Sequence, residues 1–438
     1  MKDSAIVSVV ARRIYDSRAN PTVEVDVTLA DGSQGRGMVP SGASTGKYEA
    51  LELRDGGKRL GGKDVLKALD NIRTVLAPAL IGMDARDQRA IDKRMIELDG
   101  TPDKSKLGAN AILGCSMAVC WAAANHCKMP LYRYLGGAMA NILPVPMVQI
   151  IGGGAHANMA VDVQDFLIIP LGAKSFEESY TMVVDVYFAA RSLFSEQNRP
   201  LSVADEGGFW PSDFKTNEEG LALLTESIRR AGYEPGKDAA IALDIASSEF
   251  YNPDSETYTF HLENRSFSRE QFVDLLCDWV DRYPIISIED GASELDWVGA
   301  KMLTERLGGK VQLIGDDLFT TNMERIRRGV EANCYNSVLI KLNQIGSISE
   351  TIDAIDFTRR HGYLPVVSAR SGETEDATIV HLAIATNAGQ LKVGSAARSE
   401  RTAKWNEMIR IEQQLGESGA YTGGKVFGDA GIAFGGDK

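Results

Sequence analysis

Residues 285–316 read IISIEDGASELDWVGAKMLTERLGGKVQLIGD, in which one apolar run covers Glu289, a helical stretch follows, and a second apolar run ends at Asp316. Short apolar runs that alternate with helical stretches are typical of a parallel α/β architecture. Four further runs end in a charged residue: IALD at Asp244, SVLIK at Lys341, LPVVSAR at Arg370 and QLK at Lys392. From Glu289 onward these charged residues are 22 to 29 positions apart. The spacing predicts a βα barrel, in which the active site lies at the C-terminal ends of the strands.

Upstream of these units the pattern is different. Strand-like runs extend from Ala5 to Tyr15 and from Thr22 to Leu29, and helical patterns begin at Lys63 and Asn110. Glycines and prolines interrupt helical periodicity at 136–146, so we place a domain boundary near residue 140.

Composition narrows the class of protein. A formal net charge of -13 disfavours binding to nucleic acid or anionic membranes, so an anionic substrate must be held by local cations. The N-terminus lacks the pattern of a signal peptide, and the apolar stretch at 111–124 is too short for a membrane span and is typical of a buried helix. The five cysteines lack metal-site spacing and are expected as core thiols. We therefore expect a cytoplasmic protein with no nucleic acid or membrane partner.

Asp244, Glu289 and Asp316 are carboxylates at three successive predicted strand ends. An all-oxygen set without histidine or cysteine suits Mg²⁺, whereas zinc favours nitrogen or sulfur. The alternative is a structural ion-pair cluster with the nearby lysines.

Lys341 and Lys392 follow later strands of the same predicted barrel. A lysine whose pKa is lowered by neighbouring cations can take a proton from carbon, while a metal stabilises the resulting enolate. Either lysine, taken alone, is equally consistent with a salt bridge to the carboxylates. Arg370 and Ser371 pair a guanidinium with a hydroxyl, which suits a phosphoryl or carboxylate group and favours a phosphorylated acid as substrate.

Three glycine-containing loops carry further candidates. The loop PSGASTGK at 40–47 lacks the glycine pattern of a nucleotide-binding loop and is better interpreted as a mobile lid that brings Ser44 over the site. Glu206 precedes a glycine pair, where backbone can approach a ligand, and is a candidate general acid. His156 follows three glycines, although a lone histidine is more often structural.

Ten motifs spread over the whole chain resemble those of the enolase family. They are DSRANPTVEV (16–25), VPSGASTG (39–46), GAHANMAVDVQDF (154–166), DEGGF (205–209), LDIASSEFY (243–251), ISIED (286–290), GDDLFTTN (315–322), LIKLNQIGSISET (339–351), RSGETED (370–376) and GQLKVGSAARSER (389–401). The resemblance implies an N-terminal α+β capping domain, here 1–138, and a catalytic modified TIM barrel that starts ββαα, here 139–438. It also implies a homodimer or higher homo-oligomer.

The reaction implied by the resemblance is the reversible dehydration of 2-phospho-D-glycerate to phosphoenolpyruvate in glycolysis. Two Mg²⁺ ions are implied, the second bound with substrate. Carried over by motif, Lys341 is the base at C2 and Glu206 is the acid that helps the C3 hydroxyl leave. The implied ligands of the first Mg²⁺ are Asp244, Glu289 and Asp316, and Ser44 helps bind the second. The implied substrate-binding residues are His156, Asp165, Arg370, Ser371 and Lys392.

The chain departs from the family pattern mainly around the acid. Ala369 stands where a histidine is expected, and Asp165 where a glutamate is expected near the leaving hydroxyl. Ala204 and Gly152 replace a glycine and an asparagine, and Ala19, Val380 and His381 stand where Gly, Ala and Asp are expected. One interpretation is a working enolase. The alternative is an enolase-like paralogue acting on a substrate with a different C3 group, such as a carboxyphosphonoenolpyruvate-forming enzyme of phosphonate biosynthesis. A non-catalytic protein on the same scaffold is disfavoured because the implied ligands and base are present.

Overall fold

The structure is a computed structural model that describes residues 2–43, 46–428 and 431–432. The strands, β1 to β16 in chain order, are Ile6–Tyr15, Pro21–Leu29, Gln34–Met38, Ile142–Leu143, Val145–Gly152, Asp165–Pro170, Ala239–Asp244, Tyr251–Asn252, Thr257–Phe260, Arg265–Ser268, Ile285–Glu289, Gln312–Gly315, Ser337–Ile340, Leu364–Ser368, Gln390–Ser395 and Ala420–Tyr421. The helices, α1 to α15, are Leu66–Asn71, Ala77–Leu80, Gln88–Asp99, Ala109–His126, Leu131–Gly136, Phe176–Glu196, Glu218–Arg230, Arg269–Arg282, Trp297–Leu307, Met323–Ala332, Leu342–Ile345, Ile348–Arg360, Thr378–Ala385, Ser399–Leu415 and Lys425–Gly428. A π-helical segment, Ile72–Leu76, joins α1 to α2.

The N-terminal part is an antiparallel sheet, β1-β2-β3, covered on one face by α4. Gly35 and Gly37 of β3 let the helix approach closely, because a Cβ at either position would lie within 3 Å of α4 backbone atoms. Helix α4 is apolar on nearly all sides, as expected for a helix enclosed by other elements. The prediction of a buried helix at 111–124 is confirmed. Within the described residues, no helix combines the length and the apolar character that a membrane crossing needs.

The C-terminal part is a closed barrel with the strand order β5-β6-β7-β11-β12-β13-β14-β15. Strand β6 runs antiparallel to both of its neighbours, and the other contacts are parallel. Helices α6 and α7 both lie between β6 and β7 in the chain, so the barrel begins ββαα. The predicted α/β class and modified barrel are confirmed, and the boundary at 138/139 stays a prediction.

The predicted strand ends agree closely with the structure, except at β14, which ends at Ser368, two residues before Arg370, and at β15. β7 and β11 end at Asp244 and Glu289, and Asp316 and Lys341 directly follow β12 and β13. Lys392 instead lies inside β15, which continues to Ser395. The run QLK was too short to show that Val393 and Gly394 extend the strand.

Candidate active site

Strand register brings three carboxylates together at one rim of the barrel. Asp165 pairs directly with Asp244, and Asp244 pairs with Glu289 on the next strand. Because β6 is reversed, Asp165 begins its strand at the same rim where Asp244 and Glu289 end theirs. All three side chains are buried.

The ammonium group of Lys392 links these carboxylates. Its Nζ lies 2.7 Å from Glu289 Oε2, 3.0 Å from Asp244 Oδ2 and 3.5 Å from Asp165 Oδ2. Burial alone would lower the pKa of Lys392, but the attraction of Asp244 and Glu289 outweighs it and raises the pKa well above its ordinary value. Lys392 is therefore held as a cation at the floor of the site.

Lys341 forms a second pair, with its Nζ 2.5 Å from Asp316 Oδ2. The other carboxylate oxygen of Asp316 accepts a hydrogen bond from Gln344 Nε2 at 2.7 Å. Burial opposes the charged form of Lys341, yet the Asp316 carboxylate raises the pKa of the lysine. Lys341 is thus held in its protonated form beside the Asp316 carboxylate, which Arg370 also stabilises through its charge.

The residues predicted to hold Mg²⁺ suit a cation. Glu289 Oε1 is buried and has no hydrogen-bond partner within 2–43, 46–428 and 431–432, and the same is true of Gln164 Oε1, whose Nε2 donates to Asp244. Burial and the charge of Asp244 raise the pKa of Glu289 well above its usual range, so a nearby cation would relieve this strain on the carboxylate. Uncompensated oxygen ligands of this kind fit Mg²⁺.

Closer three-residue groups of potential ligand atoms occur beside these carboxylates. One is Asp290, Asp316 and Asp317, and the other is His156, Asp165 and Glu206, each with atoms within 4.8 Å of one another. Asp290 accepts the backbone N–H groups of Asp316 and Asp317 at 3.0 and 2.9 Å, so it fixes the chain after β12. Ser44, the predicted ligand of a second ion, lies outside the described residues.

Glu206, His156 and Asp165 form the opposite wall. His156 Nδ1 lies 3.0 Å from Asp165 Oδ1, and His156 Nε2 lies 3.8 Å from Glu206 Oε1. Burial would lower the pKa of His156, but the carboxylates of Glu206 and Asp165 raise it to about 9. Burial alone would raise the pKa of Asp165, but the positive charge of the His156 imidazolium outweighs this effect and lowers the pKa below its ordinary value. An imidazolium between two carboxylates is therefore the stable arrangement.

Arg370 and Ser371 line the cavity where the N-terminal part reaches the barrel. Both ends of the Arg370 guanidinium contact Glu49, at 2.9 and 3.1 Å, and NH1 also donates to Asn343 Oδ1. The Ser371 hydroxyl accepts a hydrogen bond from the backbone N–H of Ala43 at 2.6 Å. Ser371 therefore contacts the predicted lid at Ala43, and Arg370 contacts the segment directly after it at Glu49.

Two departures from the family pattern touch each other. A Cβ added at Gly152 would lie 2.7 Å from the Cβ of Ala204, so the extra methyl group at 204 occupies space that a side chain at 152 would need. Ala369 is buried, lines the cavity and donates its backbone N–H to Lys392 O. His381 lies away from that cavity, near Trp121 and Glu407.

One cavity collects most of the predicted site residues. Its lining includes His156, Asp165, Glu206, Asp244, Asp316, Lys341, Arg370, Ser371 and Lys392. Glu289 is not in this lining but contacts Lys392, which is. Sequence reasoning missed Glu49, Gln164 and Gln149, although Gln164 stands inside a recognised motif and Glu49 follows the glycine loop closely.

Comparisons with known proteins agree with this architecture. Residues 6–135 match the family model described as "Enolase, N-terminal domain", and residues 140–430 match "Enolase, C-terminal TIM barrel domain". The chain is 67% identical over 434 residues to the protein named "Enolase 1" of Desulfitobacterium hafniense, with 99% of each chain covered. The chain therefore belongs to the enolase family.

Proposed function

We propose that this site catalyses the Mg²⁺-dependent, reversible dehydration of 2-phospho-D-glycerate to phosphoenolpyruvate. The protein is an enolase-type lyase, as its full-length similarity to a curated enolase implies. The observation that carries the proposal is that Lys341 and Glu206 line the same cavity, with Arg370 and Ser371 beside them. A base, an acid and an anion-binding pair thus surround one small volume.

Lys341 is the proposed base that removes the C2 proton. It lies in the chain directly after β13 and is anchored through its backbone N–H to Thr321 Oγ1 at 2.9 Å. Its ammonium group is buried beside Asp316. The proton affinity of Lys341 therefore depends on whether the charge of Asp316 acts on the lysine alone or also on a bound cation. Lys392, held by Asp244 and Glu289, supplies a permanent positive charge for the substrate carboxylate.

Glu206 is the proposed acid that helps the C3 hydroxyl to leave. It lies in the connection between α6 and α7, where Glu206 O accepts from Ser395 N at 3.0 Å. His156 and Asp165 complete this wall and are proposed to bind the substrate near C3. Arg370 and Ser371 are proposed to bind the phosphate.

Asp244, Glu289 and Asp316 are proposed to hold Mg²⁺, and Ser44 is proposed to help bind a second ion together with substrate. When bound, Mg²⁺ supplies positive charge that stabilises the developing enolate and draws the charge of Asp316 away from Lys341. The unpartnered oxygen of Glu289 supports this assignment.

The similarity to a curated enolase over the full chain does not favour the paralogue alternative. We also propose that the chain forms a homodimer or higher homo-oligomer. Exposed apolar side chains support this, since Val10 and Tyr15 of β1 and Phe188 of α6 are about half exposed. Light scattering on the purified protein would measure the mass of the assembly.

The test of the function is direct. Purified protein is mixed with 2-phosphoglycerate and saturating Mg²⁺, and phosphoenolpyruvate is followed by its ultraviolet absorbance. We expect steady product formation that a chelator abolishes. No product under these conditions would contradict the proposed reaction.

A further inference from the structure

Gln149 lies behind the leaving-group wall and does not line the cavity. It belongs to β5 and is fully buried. Its Nε2 donates to Asp165 Oδ1 at 2.5 Å, and its Oε1 accepts from the backbone N–H of Gly208 at 2.9 Å. The partners fix the orientation of the amide, because a carboxylate only accepts and a backbone N–H only donates. Gln149 thus joins the strand of Asp165 to the loop of Glu206.

Glycines at 208 and 152 leave space for the amide. A Cβ added at Gly208 would lie 2.6 Å from Gln149 Oε1, and one at Gly152 would lie 3.1 Å from both amide atoms. A side chain at 208 would therefore displace the amide from this position, where its hydrogen bonds to Asp165 and Gly208 set its orientation.

The contact decides which oxygen of Asp165 faces the cavity. Asp165 Oδ1 receives both Gln149 Nε2 and His156 Nδ1. Asp165 Oδ2 has no hydrogen-bond partner among the described residues and lies 3.5 Å from Lys392 Nζ. With Oδ1 fully engaged, Oδ2 is the oxygen presented to a ligand.

We propose that Gln149 is a positioning residue whose amide is matched in length to Asp165 and holds that carboxylate in place for loss of the C3 group. The inference rests on the proposed function. The family resemblance leads one to expect a glutamate at 165, and aspartate is one methylene shorter. Glutamine at 149 reaches one methylene further than asparagine would. The Gln149 and Asp165 pair therefore spans the same gap as an Asn and Glu pair, with the carboxylate drawn back from the cavity.

The experiment is a length exchange. Gln149→Asn opens the contact and Asp165→Glu crowds it, so each is expected to lower kcat by about tenfold or more, with little change in KM. The double variant Gln149→Asn/Asp165→Glu restores the combined length and is expected to recover most of the lost kcat. Gln149→Met keeps the bulk without the hydrogen bonds and is expected to lower kcat as Gln149→Asn does.

Gln312→Asn is the matched control. Gln312 is also a buried barrel amide with both ends hydrogen-bonded, to Ser287 and Ser337, and it does not line the cavity. It tests the stability cost of the same substitution without touching Asp165. We expect it to lower the Tm and to leave kcat unchanged.

Unchanged kcat in both Gln149 variants, or a double variant no better than the poorer single, would overturn the inference. If the wild-type protein fails to turn over 2-phosphoglycerate, the proposed function is wrong, and the pairing is then tested by thermal unfolding. The double variant should melt above the temperature expected from adding the two single losses. Strict additivity would refute the pairing independently of activity.

Discussion

The carboxylate of Glu49 accepts hydrogen bonds from both ends of the Arg370 guanidinium, with Oε2 2.9 Å from NH1 and Oε1 3.1 Å from NH2. Both side chains are more than nine-tenths buried. The residue proposed to bind the substrate phosphate is therefore already paired with an anion from the segment that follows the predicted lid. Substrate must share this cation with Glu49.

The first prediction concerns this sharing. Glu49→Gln removes the carboxylate that contacts both ends of the buried Arg370 guanidinium, so we expect a loss of about 2 kcal/mol or more in the free energy of unfolding. Added inorganic phosphate should replace the missing charge. Its effect on Tm is therefore expected to be larger in the variant than in the wild type, as measured by thermal melts with and without phosphate. An equal phosphate effect in both proteins would contradict the sharing.

The second prediction separates base from acid. Lys341→Ala is expected to lower kcat by about 10²-fold to 10⁴-fold, because a general base contributes that much. Nuclear magnetic resonance of substrate in deuterated water would show whether C2 exchanges its proton. We expect exchange to persist in Glu206→Gln, which loses only the acid, and to disappear in Lys341→Ala. Exchange in both variants would exclude Lys341 as the base.

The third prediction concerns the cation. Glu289 is buried against Asp244 and carries an oxygen without a partner in the described part of the chain, so Mg²⁺ should stabilise the fold. We expect a chelator to lower the Tm of the wild type and to abolish turnover. Glu289→Gln removes the charge that repels Asp244, and its Tm should respond much less to Mg²⁺. An equal response of variant and wild type would place the cation elsewhere.

The fourth prediction follows from His156. The pKa of His156 is raised from 6.5 to about 9 by Glu206 and Asp165, against the effect of burial. A group whose pKa is higher in the folded state stabilises the fold below its unfolded pKa, and this stabilisation is lost as pH rises through the folded pKa. Unfolding in denaturant between about pH 7 and pH 10 should therefore show stability falling, by up to ~3 kcal/mol from this residue. His156→Gln should flatten that part of the profile, and an unchanged slope would show that another group is responsible.

The fifth prediction concerns the contact between Gly152 and Ala204. Gly152→Asn places a Cβ 2.7 Å from that of Ala204, and such overpacking should lower the free energy of unfolding by ~2 kcal/mol. Ala204→Gly removes the obstructing methyl group, so the double variant should regain much of the loss in a denaturant titration. The single variant Ala204→Gly serves as the control. No recovery in the double variant would show that the two departures are independent.

Much of the barrel could be predicted because its strands repeat with a regular spacing. Asp244, Glu289, Asp316 and Lys341 were found from apolar runs that stop at a charge, which depends only on local pattern. Glu206 has no such run before it, since it lies between two helices, and only its glycine pair and its motif identified it.

Other contacts could not be predicted because they depend on long-range geometry. Glu49 and Arg370 are 321 positions apart and are joined by no repeating pattern. Gln149 stands in an apolar run, where its amide gives no indication of a partner until β5 and β6 are paired in register. These contacts are thus determined by domain docking and strand register, which a local sequence pattern does not show.

The site residues of the barrel are carried by two kinds of element, paired strands and the connections between elements. Asp244 and Glu289 belong to paired strands, whereas His156 and Glu206 are carried by the connections after β5 and after α6. Connections between elements accept substitution more readily than paired strands do. Natural variation in these connections can therefore retune how the enzyme expels a leaving group while the strands that carry Asp244 and Glu289 stay unchanged. Ala204 lies in such a connection, whereas Gly152 and Asp165 are the paired end residues of β5 and β6.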